Sequence, residues 1–365
     1  MSKPKVIAFY LPQYHPTPDN DKWWGKGFTE WTNVGKAKPL FPGHYQPKVP
    51  ADLGYYDLRL PEVREAQAEL AREAGVYGFC YYHYWFGNGK QELELPFNEV
   101  LRLGKPDFPF MLCWANESWH RKFWNKDGKG SSKEMLIEQT YPEGDAERHF
   151  YHLLPAFRDP RYIRIDGKPA FMIYKPMQYP EVATFITKWQ DLARQNGLPG
   201  IHFIGHMQEN FTQSSYDNLL NHGFDAVNTV GLYSALKILM TPLRNFRRKI
   251  GFHLLNRPLM LDYEAASKHF ITDIDRKSEV YPTLIPNWDH TPRSGRAGWV
   301  LTGCSPEKFH SHCNEMFQVM NETSKNICFL KSWNEWGEGN YMEPDLKFGK
   351  GFSEALTESL SGYYN

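Results

Sequence analysis

The chain has 365 residues, 42 Lys and Arg against 42 Asp and Glu, and 41% hydrophobic content, which is enough for a large core. A net charge of +0, with no basic stripe and no binding-domain motif, argues against a nucleic-acid partner, and no run of 18 apolar residues offers a membrane span. The 12 Trp, 21 Tyr and 24 Phe exceed what packing alone requires and point to an aromatic-lined cleft.

In chain order, an apolar strand over 5–11 opens the sequence without the apolar core of a signal peptide before it, so a cytoplasmic location is expected. A helix over 61–75 follows, with Pro61 near its start and Gly75 at its end. Strands are predicted at 76–82, 108–114, 169–175, 200–206, 224–230, 282–287 and 326–333, with helices at 145–157, 180–196, 261–277, 305–324 and 351–362. Eight such strands, with no Gly-rich phosphate turn after the first, favour an α/β fold of the (β/α)8 TIM-barrel type over an open doubly wound sheet. Residues 1–365 read as one catalytic barrel with long insertions near 12–60 and 231–260, both on the C-terminal face where barrel enzymes place their sites.

That face is tested at the strand ends. The first strand and its loop supply Tyr10, Tyr14, His15, Trp24, Glu30 and Trp31, and the second Tyr82, His83 and Trp85. Later ends supply Trp114, Asn116 and Glu117, then Tyr174, His206, Asn287 and Trp288. The eighth carries Asn334, Glu335, Trp336, Glu338 and Tyr341. Packing alone favours Val, Ile and Leu at such positions, whereas indole faces and paired carboxylates suit a sugar. For each residue outside the eighth strand taken singly, a ring capping the barrel end is an equal alternative, and for Glu335 and Glu338 the alternative is a pair of solvated loop carboxylates or a helix N-terminal cap. Glu117 reads as a hydroxyl ligand or a structural acceptor, Glu30 as a cleft acid or a loop anchor, and Asp289 as a sugar ligand or a partner of His290 or Arg293. Glu335 and Glu338 are the catalytic candidates, yet positions i and i+3 of a strand face opposite ways, so the two converge only if the chain turns after Glu335.

The five cysteines are odd in number and widely spaced, which suits reduced structural thiols. Metal-ligand spacings, a serine nucleophile elbow and a cofactor fingerprint are all missing, so no metal and no cofactor is expected. Residues 237–252 mix Lys237, Arg244, Arg247, Arg248 and Lys249 with apolar residues. They suit a solvated insertion, an anion site or a membrane-surface helix making a peripheral membrane contact.

The runs Ala8-Phe9-Tyr10-Leu11-Pro12-Gln13-Tyr14-His15-Pro16, Gly27-Phe28-Thr29-Glu30-Trp31-Thr32-Asn33-Val34, Tyr81-Tyr82-His83-Tyr84-Trp85-Phe86, Cys113-Trp114-Ala115-Asn116-Glu117 and Trp333-Asn334-Glu335-Trp336-Gly337-Glu338-Gly339 together resemble the WbsX family. That family is similar in turn to glycoside hydrolase family 99, the endo-α-mannosidases. The resemblance implies retaining cleavage of α-linked mannose-like sugars of a bacterial polysaccharide. It implies that Glu335 takes the proton of the sugar 2-hydroxyl, which attacks its own anomeric carbon, and that Glu338 protonates the leaving oxygen and then activates water. WbsX-type proteins are also labelled glycosyltransferases of surface polysaccharide such as O-antigen, which is the alternative activity; a non-catalytic carbohydrate-binding barrel is a third.

Overall fold

The computed structural model describes residues 3–121, 134–207 and 211–363. Its centre is a parallel barrel of β1 (Lys5–Tyr10), β2 (Val76–Trp85), β3 (Phe110–Trp114), β4 (Lys168–Ile173), β5 (His202–Met207), β6 (Ala226–Thr229), β7 (Val280–Tyr281 and Thr283–Leu284) and β8 (Ile327–Leu330). Strands such as Phe-Met-Leu-Cys-Trp in β3 and Ile-Cys-Phe-Leu in β8 are buried throughout, as expected of parallel strands covered on both faces. Closure falls to β7. Pro282, which has no N–H, divides it. Val280 and Tyr281 pair with β6, Thr283 and Leu284 pair with β8, and Phe329 N donates to the Pro282 carbonyl at 2.8 Å.

In chain order the helices are α1 (Pro18–Trp24), α2 (Glu30–Lys36), α3 (Pro61–Glu73), α4 (Leu95–Leu103), α5 (Asp145–Arg158), α6 (Val182–Gln195), α7 (Gln213–Asn221), α8 (Leu232–Leu239), α9 (Pro242–Leu254), α10 (Tyr263–Ser267), α11 (Thr291–Ser294), α12 (Pro306–Glu322) and α13 (Gly351–Gly362). α3 starts at a proline and buries Arg64, Gln67, Ala68 and Ala71, whose small alanines admit close packing on the barrel. The insertions after β1 and β6 fold as α1–α2 and α8–α10. A second, smaller apolar cluster around Leu232, Tyr263, Phe270, Ile285 and Trp288 underlies the latter.

Three expectations need correction. The helix expected over 261–277 is two pieces, because Thr272 starts a new 3-10 turn through a capping box with Asp275. The helices α4 and α7 are additional. The segment 237–252 is not one helix: Pro242 ends continuity with α8 and starts α9, capped by Thr241.

Candidate active site

The chain leaves β8 with the Lys331 N–H bonded to the Leu284 carbonyl at 3.0 Å. A short hairpin follows, pairing Asn334 and Glu335 with Tyr341 and Asn340. Ser332 Oγ pins it, accepting from Glu335 N at 3.0 Å and donating to the Asn340 carbonyl at 2.8 Å. Asn334 ties the hairpin to β1 through both Leu11 N (2.8 Å) and Leu11 O (3.0 Å). Between the two arms Trp336–Glu338 form one 3-10 turn, which is the bend that convergence of the two carboxylates requires. Both glutamates line one cleft of about 420 Å³.

Two neighbouring glycines set how closely the surroundings approach. A Cβ on Gly337 would sit 1.9 Å from Glu30 Oε1, and one on Gly339, at φ +55°, would sit 2.6 Å from Lys48 Nζ and from Asp289 Cβ. The Glu30 N–H donates to Gln13 O at 3.0 Å, which anchors α2 to the loop after β1. Its carboxylate is 1% exposed and accepts from Arg293 Nε and Nη2 at 2.9 Å each and from Asn33 Nδ2 at 3.0 Å. The remaining guanidinium nitrogen, Arg293 Nη1, donates to Glu338 Oε1 at 2.5 Å, and His290 Nε2 lies 3.7 Å from the same oxygen. Glu335 has its own cation: Lys331 Nζ at 3.2 Å, with Asn340 Nδ2 at 3.2 Å. Burial raises the Glu335 pKa above the ordinary carboxylate value, with Glu338 adding to it and Lys331 and Arg293 opposing. Burial works against the Lys331 ammonium, but Glu335 and Glu338 outweigh it and leave its pKa above the ordinary lysine value.

Among the residues expected at the site, Trp24, Glu30, Tyr82, Glu117, Tyr174, Glu335 and Glu338 line this cleft. The others lie elsewhere. Tyr10 donates to Gln67 of α3 at 2.6 Å, and His15 is buried with Nδ1 3.0 Å from the Pro12 carbonyl. Tyr14 donates to the Asn334 carbonyl and accepts from Trp336 N, under the turn that carries the two glutamates. Trp31 packs 5.7 Å from Trp336, whose indole donates to Glu343 at 2.6 Å and stacks on Tyr341 at 3.8 Å. Tyr341 in turn donates to Asp345 at 2.5 Å. His83 pairs with His149 of α5 at 2.8 Å, Trp85 donates to Asp145 at 2.9 Å, and Trp114 donates to the Trp85 carbonyl at 2.9 Å. Asn116 clamps Lys175 N and O, and His206 lies behind Tyr174, stacked at 4.8 Å and bonded to Asn228. Asn287 and Trp288 line a second cavity of about 320 Å³, and Asn287 brackets the backbone of Tyr341. Asp289 pairs with neither His290 nor Arg293. His44 at 2.8 Å and Gln46 at 2.7 Å hold it, and although burial pushes upward, His44, Lys48 and Thr291 take its pKa down to about 2.

The rule that separates the two groups on β2 is strand alternation. Tyr82 and Tyr84 face the cleft, whereas Tyr81, His83 and Trp85 turn out toward α4 and α5. Tyr84, two residues on from Tyr82, is a cleft residue that alternation identifies and that is absent from the expected set, as are Arg293, Lys331, His290, Trp119 and Tyr233, all of which line the cleft. Among the described residues no group of three His, Cys, Asp or Glu side chains is placed to hold a metal ion.

A family model described as Glycosyltransferase WbsX matches residues 6–356. In two strains of Xanthomonas campestris pathovar campestris, a protein called uncharacterized protein WxcX is 35% identical over 98% of this chain. The chain spans about half the length of these relatives, 49% of each. Among solved structures, a glycoside hydrolase-like protein superposes with a TM-score of 0.64 at 14% identity, covering 99% of this chain and 94% of its own. The GH99 endo-alpha-mannosidase of Bacteroides thetaiotaomicron superposes with a TM-score of 0.56 at 14% identity, covering 98% of this chain and 97% of its own. At that identity the likeness shows the barrel fold and no more.

Proposed function

Taking as premise that the chain belongs to the WbsX family, we propose that it is a glycoside hydrolase that cleaves α-linked, mannose-like sugars with retention, using Glu335 and Glu338. The observation that carries this reading is the pair of carboxylates on one aromatic-walled cleft, each set against a different cation. Burial gives Glu335 a higher proton affinity than an ordinary carboxylate, which suits a general base near neutrality, and Lys331 and Asn340 fix its orientation. It takes the proton of the sugar 2-hydroxyl, whose oxygen forms a bond to its own anomeric carbon as the bond to the leaving oxygen breaks. Glu338 gives that oxygen its proton. The resulting carboxylate then removes a proton from water, which attacks the anomeric carbon, while the 2-oxygen recovers a proton from Glu335. Arg293 Nη1 holds Glu338 Oε1 while Glu30 takes the other two guanidinium nitrogens, so the insertion after β1 helps to orient the proposed acid.

The family description favours a second reading, transfer of the sugar to a hydroxyl of another glycan, since an acid/base pair does not by itself select water. One experiment tests both: a screen of α-linked oligosaccharides with product anomers followed by NMR, with and without sugar acceptors. Retained reducing-end product that disappears in Glu335→Gln and Glu338→Gln supports hydrolysis, and longer glycans formed only with acceptor support transfer. Binding without turnover by the unmutated protein would leave a carbohydrate-binding barrel. Brisk cleavage of a 2-deoxy substrate rejects the 2-hydroxyl route.

A further inference from the structure

Residues 226–261 contain Lys237, Arg244, Arg247, Arg248, Lys249 and Arg257 and no Asp or Glu. They build a protrusion, α8–α9, in which no residue of α9 is buried. One side of α9 is held to the barrel: the Arg296 guanidinium lies 4.6 Å over the Phe252 ring and donates to Asn256 at 2.9 Å. On the opposite side, at helical spacing, stand Leu243, Phe246, Ile250 and Leu254. Leu243 is 58% exposed, Phe246 61% and Leu254 77%, and Ile238 and Leu255 on the same protrusion are exposed as well. Arg247 and Lys249 flank the apolar stripe along the helix.

We propose that this protrusion docks on an anionic lipid bilayer. An apolar stripe rimmed by cations, on a segment without Asp or Glu of its own, matches the two layers of such a surface: headgroup charge outside and hydrocarbon beneath. A second copy of this chain fits poorly, because face-to-face contact would set like charges against each other. A soluble polyanion accounts for the arginines but leaves exposed Phe246 and Leu254 without a partner. Contact is peripheral, since among the described residues no helix is long and apolar enough to cross a membrane. α8 begins just past the C-terminal end of β6, and Tyr233 in its first turn lines the cleft, so docking sets the cleft mouth beside the bilayer. Presentation of a lipid-carried glycan to Glu335 and Glu338 is the consequence; that clause rests on the hydrolase reading, and the docking itself does not.

The test is co-sedimentation of the full chain with vesicles of phosphatidylcholine, alone or with about 30% phosphatidylglycerol, where each surface cation is worth about fivefold in partitioning. Binding is expected to rise at least tenfold on the anionic vesicles. Arg247→Ala with Lys249→Ala should weaken it about thirtyfold. Phe246→Ser with Leu254→Ser should abolish the fraction that survives high salt, with the melting temperature unchanged because neither side chain is buried. Equal binding to neutral and anionic vesicles, or apolar variants that bind like the parent, overturns the proposal, as does capture on dextran sulfate with none on vesicles. Glu335→Gln should bind vesicles normally, so loss of turnover and loss of docking read out separately.

Discussion

Gly337→Ala isolates the contact that ties the insertion after β1 to the turn Trp336–Glu338. The new methyl would lie 1.9 Å from Glu30 Oε1, 2.6 Å from Glu30 Cδ and 3.1 Å from Arg293 Nε. Glu30 has no room to yield, since it is 1% exposed and three hydrogen bonds fix its carboxylate. The Gly337 backbone has no positive φ, so the effect is steric and not conformational. Overpacking costs about 1–3 kcal/mol, and loosening a buried ion pair adds to it, short of the roughly 3–5 kcal/mol of removing a partner. A total of about 3 kcal/mol, at about 2 °C per kcal/mol for a chain of this length, gives a melting temperature lowered by about 6 °C. Turnover should fall further than stability, because Arg293 also holds Glu338 and a misplacement of about 1 Å costs roughly a hundredfold. Calorimetry of Gly337→Ala, Glu30→Asp and the double variant completes the argument. Shortening Glu30 makes space, so the double variant should recover at least about 1 kcal/mol relative to additivity. A Gly337→Ala protein with the parent melting temperature, or a double variant that is merely additive, refutes the contact as described.

Lys331→Met should move the acidic limb of the kcat/KM profile to higher pH, because the cation that opposes the rise of the Glu335 pKa is gone; an unchanged limb assigns that limb to another group. Burial holds His83, His206 and His312 at pKa values of about 3, so the folded state binds fewer protons than the unfolded one between about 3 and 6.5. Their contribution is complete above pH 6.5 and is lost as pH falls, and His312→Gln, which keeps an acceptor for Ile285 N, should reduce the slope of stability against pH by about one proton in denaturant titrations. Glu343 works the other way. Burial lifts its pKa to about 7, so the folded state holds an extra proton between about 4.5 and 7, and stability declines as pH rises through that window. Glu343→Gln should remove this loss, worth about 3 kcal/mol at pH 8, and an unchanged pH dependence would show that Glu343 is ionised in the fold. In the metal-independent reading proposed for the site, EDTA should leave turnover intact, and loss restored by a divalent cation would overturn that reading.

The turn Trp336–Glu338 was legible because its information is local: two carboxylates three residues apart, with Gly337 and Gly339 where the chain must bend and where Glu30 and Lys48 must come close. The barrel was legible for a similar reason, each buried parallel strand being a short apolar run with turn residues beside it. Arg293 was not. It meets Glu30 across 263 residues, and nothing in either local sequence pairs them; only the barrel, by setting the β1 and β7 loops side by side on one rim, does so. The cleft wall lies between these cases. Aromatic strand ends were read as a group, yet the pleat sends alternate residues to the helix layer, where His83, Trp85 and Trp114 meet His149 of α5. Applied to Tyr81 through Trp85, a period of two with Tyr82 facing inward would have selected Tyr84 and rejected His83 and Trp85 from sequence alone. The alternation also explains why this chain is so aromatic: the same strands supply rings to two separate layers, and only the inner one faces a glycan in the reading proposed for the site.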